Sequence, residues 1–356
     1  MTSASRPVVG MLVGGGPAPG INSVISAVTI RSILGGCDVL GFVDGFKWLM
    51  EGSTAHTHPL SIEEVSRIHF RGGSHLGTSR ANPTKKPEHL DRVLSTLTSL
   101  GVTRLVTIGG DDTAFSALKL EARSQGRLQV VHVPKTIDND LESTLVTFGL
   151  DSAVSFATEC IDRLHATAQA HRRLIVVEVM GRYAGWIALA CGVAGQANAI
   201  LIPEIPYDLA KVADHLKRKA AERSYAIMVV AEGAKPIGGD VTVKAREPGR
   251  VERLGGIGAR LAEQLERLTG IESRAVVLGH LLRGGTPTSL DRNLGLMFGA
   301  AAVRALAEGQ NGVMVAINPP RIEYVPLKQA VAKMKRVPLD SDGVLTARTL
   351  DISLGD

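Results

Sequence analysis

Two adjacent aspartates follow a glycine pair in the stretch IGGDDTAF, residues 108–115. A glycine-rich turn after an apolar strand is typical of anion-binding sites, because its bare backbone N–H groups can close on a phosphate. Asp111 is a candidate ligand for Mg²⁺, which takes carboxylate and phosphate oxygens. The alternative is that Asp111 or Thr113 only caps the following helix. Asp112 raises a separate question, because a second negative charge should repel an anionic ligand.

A second glycine-rich stretch, GGGPAPGIN, spans residues 14–22 after the first apolar run. Gly15 and Gly16 would let the backbone approach a phosphate, and a helix starting near Asn22 would add its positive end. The stretch is neither GxGxxG nor a P-loop with Gly-Lys-Ser/Thr, which disfavours dinucleotide and Walker-type binding. A purely structural turn is the alternative.

The third motif is PKTIDND, residues 134–140, again beyond an apolar run. Thr136, Asp138 and Asp140 alternate, so extended backbone would point all three side chains to one side. A hydroxyl and two carboxylates on one face suit deprotonation of an alcohol and positioning of a metal. The alternative is an ordinary turn, since Asp-Asn-Asp is common in turns.

Cations recur at the ends of other apolar runs. Arginine binds phosphate in a bidentate manner, so several arginines at strand ends predict a phosphorylated substrate, and a nearby acid could bind sugar hydroxyls. The candidates are Arg173, Arg182 in MGR (180–182), Arg274, His280 and Arg283 in GHLLRGG (279–285), and Glu232. Taken singly, each is more often part of a surface ion pair.

The elements that must position these residues are short apolar runs, most of which end in Gly or Pro. We predict strands within 8–15, 38–45, 104–110, 128–134, 173–181, 199–204, 225–233, 274–280 and 312–318. Stretches with helical spacing lie between many of them, including 88–100, 151–171, 207–223 and 290–308. This alternation predicts parallel sheets covered by helices on both sides, with ligands at the carboxyl ends of strands.

Composition narrows the possible partners. The 356 residues are 44% hydrophobic, which allows two lobes, and 4% aromatic, which argues against a surface for single-stranded nucleic acid. The net charge of +5, without a dense basic run, favours small anionic substrates. We predict a soluble cytoplasmic protein with no membrane partner, for three reasons. Its three cysteines are widely separated, its start does not resemble a signal peptide, and no apolar run approaches a length of ~20 residues.

Together the motifs resemble the 6-phosphofructokinase family. GGGPAPGIN, GGDDT, PKTIDND, MGRYAGWIA and LGHLLRGG followed by DR occur in family order and at family spacing, over roughly residues 8–309. The resemblance implies an α/β fold of two doubly wound parallel-sheet lobes with the active site between them. It also implies Mg²⁺-dependent phosphoryl transfer to the 1-hydroxyl of fructose 6-phosphate, in glycolysis or gluconeogenesis.

The resemblance implies roles for individual residues. Asp138 is the implied general base and Asp111 the implied Mg²⁺ ligand, while Arg182, Lys135 and Asp112 complete the implied catalytic set. The fructose 6-phosphate set would be Thr136, Asp138, Arg173, Met180, Gly181, Arg182, Glu232, Arg274, His280 and Arg283. The phosphoryl-donor set would be Gly15, Gly16, Arg80, Gly110, Asp112 and Lys135. Arg173 and Arg274 match positions that the family takes from a neighbouring subunit, which implies a homodimer or homotetramer.

The identity of the donor depends on Asp112. ATP-dependent members of the family generally have Gly there, and many have Gly at the position of Lys135, so GGDD with PKT resembles the pyrophosphate-dependent branch. A carboxylate about 4 Å from the α-phosphate of ATP, at an effective dielectric near 20, would cost about 4 kcal/mol, or about a thousandfold in binding. Lys135 could offset Asp112 and stabilise the transferring phosphoryl group.

Two departures from the ATP-dependent bacterial pattern concern regulation and charge. Regulated members of the family place effector-binding arginines on the first helix, where this sequence has Ser26 and Ile30; Arg31 is about 100° further round. We therefore predict little or no regulation by ADP or phosphoenolpyruvate. Pro17 replaces a common acid near the donor phosphates, which fits a changed donor.

Two alternatives stay open. One is an ATP-dependent enzyme of the same fold; the other is a non-catalytic, sugar-phosphate-sensing regulatory subunit, which the full set of acids disfavours. We assign residues 1–149 and about 282–310 to a donor-binding lobe. Residues 150–281 and about 311–356 are assigned to a fructose 6-phosphate lobe.

Overall fold

The computed structural model describes residues 6–245 and 253–356. The strands in these residues are β1 Val8–Val13, β2 Asp38–Phe42, β3 Thr57–Pro59, β4 Val102–Gly109, β5 Gln129–Pro134, β6 Leu174–Val179, β7 Ala199–Leu201, β8 Ala226–Ala231, β9 Val243–Ala245, β10 Arg253–Leu254, β11 Ser273–Val277, β12 Val313–Asn318 and β13 Arg321–Pro326.

The α-helices in these residues are α1 Ile21–Leu34, α2 Lys47–Met50, α3 Ile62–Val65, α4 Pro87–Ser99, α5 Asp111–Ser124, α6 Leu150–His171, α7 Trp186–Ala194, α8 Leu209–Arg223, α9 Ile257–Thr269, α10 Ser289–Ala307, α11 Leu327–Ala330 and α12 Asp342–Thr349. Short 3₁₀ helices occupy Pro83–Lys85 and Gly279–Arg283. No helix in the described residues is both long and apolar enough to cross a membrane.

The chain divides into two compact units. Unit 1 contains residues 1–152 and 283–334, and unit 2 contains residues 153–282 and 335–356. The nine predicted strands and the four predicted helices are all confirmed, although their ends differ by a few residues. The predicted α/β class is likewise confirmed.

Unit 1 is built on a seven-stranded sheet of order β13-β12-β5-β4-β1-β2-β3. The five central strands are parallel, while β13 and β3 pair antiparallel at the edges. Alternate residues of β1 point to opposite faces: Met11 packs in one core with α1 and α10, and Leu12 packs in the other with α4 and α5. Burial on both faces explains why the central strands have continuous apolar sequences.

Unit 2 is built on a four-stranded parallel sheet of order β11-β6-β8-β7. Helices α8 and α9 cover one face, where Leu216 and Leu261 join the buried core. Helix α7 packs against β7 and β8. Helix α12, from the C-terminal segment, packs against α7.

One predicted boundary is wrong. We assigned residues 311–356 to the second lobe, but β12 pairs with β5 and β13 pairs with β12, so residues up to 334 belong to unit 1. Backbone pairing of β12 and β13 completes the seven-stranded sheet, and of this stretch only residues 335–356 join unit 2. The sequence after Asn318 has weak patterning because β13 is an edge strand, in which Val325 is buried and the other five residues are exposed or half-buried.

Candidate active site

The glycine-rich turn of unit 1 connects β1 to the first turn of α1. Its backbone is held from both sides, because the Gly14 N–H donates to the Ile108 carbonyl at 2.8 Å and the Gly15 N–H donates to the Ser79 carbonyl at 2.8 Å. A Cβ at Gly14 would lie 2.5 Å from Thr113 Oγ1, and Gly15 has a φ of +85°. Both positions therefore require glycine. The N–H groups of Gly14 and Gly15 are bonded within the protein, so what the turn offers an anion is its place just before the N-terminus of α1.

The segment containing Arg80 is bound to this turn. Thr78 Oγ1 donates to the Gly15 carbonyl at 2.8 Å, and Ser79 forms the isolated bridge with Gly14. Asn22, at the start of α1, donates to the Arg71 carbonyl at 3.1 Å and accepts from the His75 N–H at 2.8 Å. No local pattern indicates this role for Asn22, because the two segments are about 50 residues apart in sequence. The result is that Arg80 lies next to the glycine turn.

The paired acids open α5. Gly110 is the N-cap and has no side-chain hydrogen bond, so neither Asp111 nor Thr113 serves as a cap. Asp111 and Asp112 lie in the first helical turn, where the helix dipole favours negative charge, and both are exposed. Partial desolvation and then the Asp111 charge raise the pKa of Asp112 above its usual range, whereas Lys85 and Arg80 lower it.

Lys85 is a residue that the sequence analysis missed. It ends the 3₁₀ helix Pro83–Lys85, and its charge acts on Asp112 together with that of Arg80. Its position two residues after a proline, in an irregular segment, carries no motif. The second acid therefore lies among cations from the 80–85 segment.

Lys135 is buried at the end of β5, with 2% of its surface exposed. Its Nζ donates to the Gly16 carbonyl at 2.6 Å, so its side chain reaches the glycine turn. Burial and then the charge of Arg283 lower the pKa of Lys135 to about 7, and the carboxylates of Asp140, Asp138 and Asp111 partly offset this effect. A buried ammonium at an anion-binding turn is typical of sites that neutralise phosphate charge.

His132 is a buried residue of β5 that bonds to the backbone at the end of β4, next to Lys135. It is fully buried in β5, where its Nδ1 lies 2.8 Å from Thr107 Oγ1 and its Nε2 lies 3.0 Å from the Gly109 carbonyl. Burial lowers the pKa of His132 to about 3, so the imidazole is neutral and donates through Nε2–H. The same Gly109 carbonyl accepts from the Lys135 N–H at 2.8 Å. This bond holds the backbone just before Asp111 and Asp112 beside the backbone of Lys135.

The backbone after Lys135 is not extended, so the predicted reason for the convergence of Thr136, Asp138 and Asp140 is wrong. Residues 137–138 form a turn, Asn139 has a φ of +50°, and the Asp138 N–H donates to Thr136 Oγ1 at 3.1 Å. The turn still clusters the acids. Burial, then the charges of Asp138 and Asp111, raise the pKa of Asp140 to about 7, while a hydrogen bond from Thr136 lowers it.

Arg283 also lies at this cluster. Its Nη2 is 3.7 Å from Asp138 Oδ2 and its Nη1 donates to the Pro17 carbonyl at 3.4 Å. The Arg283 and Asp138 side chains are only 14% and 19% exposed. An arginine from residue 283 therefore joins the glycine turn to the acid of the PKTIDND motif.

The carboxylates of unit 1 fit Mg²⁺. Asp140 Oδ1 is buried without a hydrogen-bond partner, and the charges of Asp111 and Asp138 act on Asp140. In the part of the chain that the structure describes, these acids do not form a preformed cage of three ligands. That suits Mg²⁺, which usually binds one or two carboxylates and keeps its other positions for water and substrate phosphates.

The remaining predicted residues lie in unit 2, some at the carboxyl ends and some at the amino ends of its parallel strands, which are called its carboxyl edge and its amino edge. Met180, Gly181 and Arg182 follow β6, and Glu232 follows β8. The Glu232 N–H donates to the Val179 carbonyl at 2.9 Å. His280 is exposed beyond β11 in the 3₁₀ helix Gly279–Arg283. The carboxyl edge of this sheet thus collects Met180, Gly181, Arg182, Glu232 and His280.

Arg173 and Arg274 lie at the amino edge of the same sheet. Arg173 Nε is 2.9 Å from Glu272 Oε2, and Arg274 pairs with the same carboxylate. The hydrogen bonds from Arg173 are the main reason that the pKa of Glu272 is below its usual range. Six residues of β6 separate this edge from the other, which corresponds to about 20 Å. The structure therefore does not bring Arg173 and Arg274 together with Arg182.

The features of unit 1 belong to one chemical task. A glycine turn at a helix N-terminus, a buried lysine, clustered carboxylates and an arginine are the groups that bind, orient and neutralise a phosphoryl group. The fold and this site define a phosphotransferase.

Comparisons with known proteins identify its family. Residues 8–306 match the family model described as Phosphofructokinase, so the chain belongs to the phosphofructokinase family. A relative from Amycolatopsis methanolica named "Pyrophosphate--fructose 6-phosphate 1-phosphotransferase" is 47% identical over 93% of this chain and 96% of its own length. A relative from Chloroflexus aggregans named "ATP-dependent 6-phosphofructokinase" is 45% identical over 99% of each chain.

Solved structures agree on the fold. The pyrophosphate-dependent phosphofructokinase of Nitrosospira multiformis superposes with a TM-score of 0.83, covering 98% of this chain and 92% of its own, at 22% identity. The relatives therefore agree on family and fold, while their names differ on the phosphoryl donor.

Proposed function

We propose that this protein is a pyrophosphate-dependent 6-phosphofructokinase. It would transfer a phosphoryl group from Mg²⁺-bound pyrophosphate to the 1-hydroxyl of fructose 6-phosphate, giving fructose 1,6-bisphosphate and phosphate. Pyrophosphate is itself a phosphate anhydride, so the reaction should run in both directions. The relative from Amycolatopsis methanolica carries the name of this activity.

The observation that carries the choice of donor is Asp112. Its carboxylate is exposed in the first turn of α5, beside Asp111 and within the field of Arg80 and Lys85. A donor that extends past the transferred phosphates, as a nucleoside triphosphate does, would bring a further phosphate towards this charge. Pyrophosphate has no such group, and it would still gain from Arg80 and Lys85.

Mg²⁺ would be held by Asp111, with Asp140 as a second candidate, and would neutralise phosphate charge when bound. The residues of the chain would do the rest. Gly16 would bind the donor through its backbone N–H, with the Lys135 ammonium beside it, while Gly15, whose N–H donates to the Ser79 carbonyl, would allow the close approach of the donor. Asp138 would take the proton of the sugar 1-hydroxyl, and Arg283, 3.7 Å from it, would hold the carboxylate in place. Arg182 would contribute a further positive charge to the transferring group.

The sugar phosphate would be bound by two subunits. Met180, Gly181, Arg182, Glu232 and His280 share one edge of the unit 2 sheet, too far from the other edge for one hexose phosphate to reach both. We therefore assign the roles of Arg173 and Arg274 to the site of a second copy, in a homodimer or homotetramer, with their exposed partner Glu272 giving way to phosphate. Cytoplasmic localisation is part of this proposal.

Absence of effector regulation is also proposed. Ser26 is 2% exposed within α1, Ile30 is partly buried against the unit 1 core, and neither carries a charge that could bind a phosphorylated effector. The alternative activity is ATP-dependent phosphofructokinase, which the name of the Chloroflexus relative favours.

A comparison of donors tests the proposal. Purified protein is assayed with fructose 6-phosphate and either Mg²⁺-pyrophosphate or Mg²⁺-ATP, and then in reverse with fructose 1,6-bisphosphate and phosphate. We expect kcat/KM to be higher with pyrophosphate and the reverse reaction to depend on phosphate. Turnover with ATP that matches or exceeds turnover with pyrophosphate would establish the alternative. No turnover with either donor would favour a sensing subunit.

A further inference from the structure

Two histidines and a glutamate converge at the edge of unit 1, in a cluster that the sequence motifs do not contain. His58 Nε2 lies 2.6 Å from Glu64 Oε1, and His75 Nε2 lies 2.7 Å from the same oxygen. The two imidazole rings meet edge to face, with centroids 5.8 Å apart. One ligand atom from each residue lies within 4.8 Å of the other two.

Buried neighbours fix the backbone at each of these three residues. His58 lies in the edge strand β3, paired opposite Gly41 of β2, and buried Leu60 follows it. Glu64 lies in α3 next to buried Val65, and its N–H donates to the N-cap Ser61 at 3.2 Å. The three backbones are therefore held close together by the core, while the side-chain tips stay partly exposed.

The loop that carries His75 is held in the same way. The His75 N–H donates to Asn22 Oδ1 at 2.8 Å, and the neighbouring Leu76 is 1% exposed. The Asp44 N–H donates to the Leu76 carbonyl at 2.9 Å. His75 thus reaches the cluster from a loop that follows α3, 11 residues after Glu64.

We propose that His58, Glu64 and His75 form a binding site for one Zn²⁺ ion, outside the phosphoryl-transfer site. Two imidazoles with one carboxylate suit borderline transition metals, whereas Mg²⁺ and Ca²⁺ take oxygen ligands. Bonds of about 2.0–2.1 Å at tetrahedral angles put ligand atoms about 3.3 Å apart, so each N–O pair would open by about 0.6 Å. Partly exposed side chains can make that movement, and water would complete the coordination.

The position of this cluster predicts what the ion would do. The segment that follows His75 continues to Thr78 and Ser79, which bond to Gly15 in the glycine turn. A Zn²⁺ ion at the cluster would link this segment to β3 and α3 through His58 and Glu64. We expect bound Zn²⁺ to slow backbone hydrogen exchange across residues 69–80. This consequence does not depend on which donor the enzyme uses.

The test is a titration of the metal-free full-length protein with Zn²⁺ in a large excess of Mg²⁺, followed by calorimetry and by hydrogen exchange. Co²⁺ replaces Zn²⁺ in a parallel titration that records its visible absorption. Wild type should bind one Zn²⁺ that His58→Gln, Glu64→Gln and His75→Gln each weaken by at least about tenfold. His69→Gln is the matched control, because His69 lies in the same segment outside the cluster, and it should bind as wild type does.

Melting curves without metal show whether each variant is folded. At the same Zn²⁺ concentration, Zn²⁺ should raise the melting temperature of wild type and of His69→Gln by several degrees, and should raise that of the three ligand variants by less. The proposal is overturned if wild type binds no Zn²⁺ at micromolar concentrations, or if the ligand variants bind it as tightly as wild type. Either result would leave the cluster as a hydrogen-bonded contact that only supports the fold.

Discussion

The charge of Asp112 is the perturbation that tests the choice of donor most directly. Asp112→Asn removes the charge and keeps the size of the side chain, whereas Asp112→Gly removes both. Two unit charges about 4 Å apart interact with about 4 kcal/mol at an effective dielectric near 20, but with only about 1 kcal/mol in water. Asp112 is exposed and lies near Arg80 and Lys85, so screening places the repulsion between these limits.

That range predicts a gain in kcat/KM for Mg²⁺-ATP of about 5- to 1,000-fold in Asp112→Asn. The pyrophosphate activity should change much less, because pyrophosphate places no group beside this carboxylate. Asp112→Gly should gain at least as much as Asp112→Asn, and the difference between them measures the steric part. Asp112→Glu keeps the charge and serves as the control, which should remain poor with ATP.

The assay measures kcat/KM for both donors at saturating fructose 6-phosphate and fixed free Mg²⁺. Salt adds an independent check, since an exposed repulsion should weaken as ionic strength rises, and wild-type activity with ATP should then increase relative to Asp112→Asn. If Asp112→Asn and Asp112→Gly both leave the ratio of the two donors unchanged, electrostatic exclusion of the nucleotide is wrong.

Further expectations concern pH, the general base and the subunit arrangement. Burial lowers the pKa of Lys135 to about 7, so kcat/KM for the donor should fall as pH rises through 7. Lys135→Arg should remove that fall, and if the variant still shows it, another group is responsible for the pH dependence. The pKa of Asp140 is raised to about 7 from 3.8, so ionising this buried acid destabilises the folded state as pH rises through that window. Urea unfolding should therefore show Asp140→Asn more stable than wild type by about 1–4 kcal/mol at pH 8, with little gain at pH 4; a pH-independent difference would contradict this. Asp138→Asn should lower kcat by about 10²- to 10⁴-fold with little change in the KM for fructose 6-phosphate, and a mainly raised KM would instead mark a binding role. Mixing inactive Arg173→Ala and Asp138→Asn subunits should restore activity, because one site in a mixed dimer has neither lesion; no recovery in verified mixed oligomers would argue against shared sites.

The sequence alone was sufficient for the features that depend on local pattern. Strands buried on both faces need continuous apolar residues, so the runs at β1 and β6 could be recognised as buried strands from the sequence. The helices between such strands indicated that the strands are parallel. The glycine turn was equally readable, because only glycine fits the close approach at Gly14 and the positive φ at Gly15.

Tertiary structure decided what depends on contacts between distant segments. The burial of Lys135 and its lowered pKa require the glycine turn and Arg283, which lie more than a hundred residues away in sequence. The separation of Arg173 from Arg182 follows from the direction of β6, and the cluster of His58, Glu64 and His75 follows from an edge strand too short to show a pattern. Local sequence favours a strand, a helix or a turn, but the charge, burial and partners of a side chain are set by the distant segments that the core brings beside it.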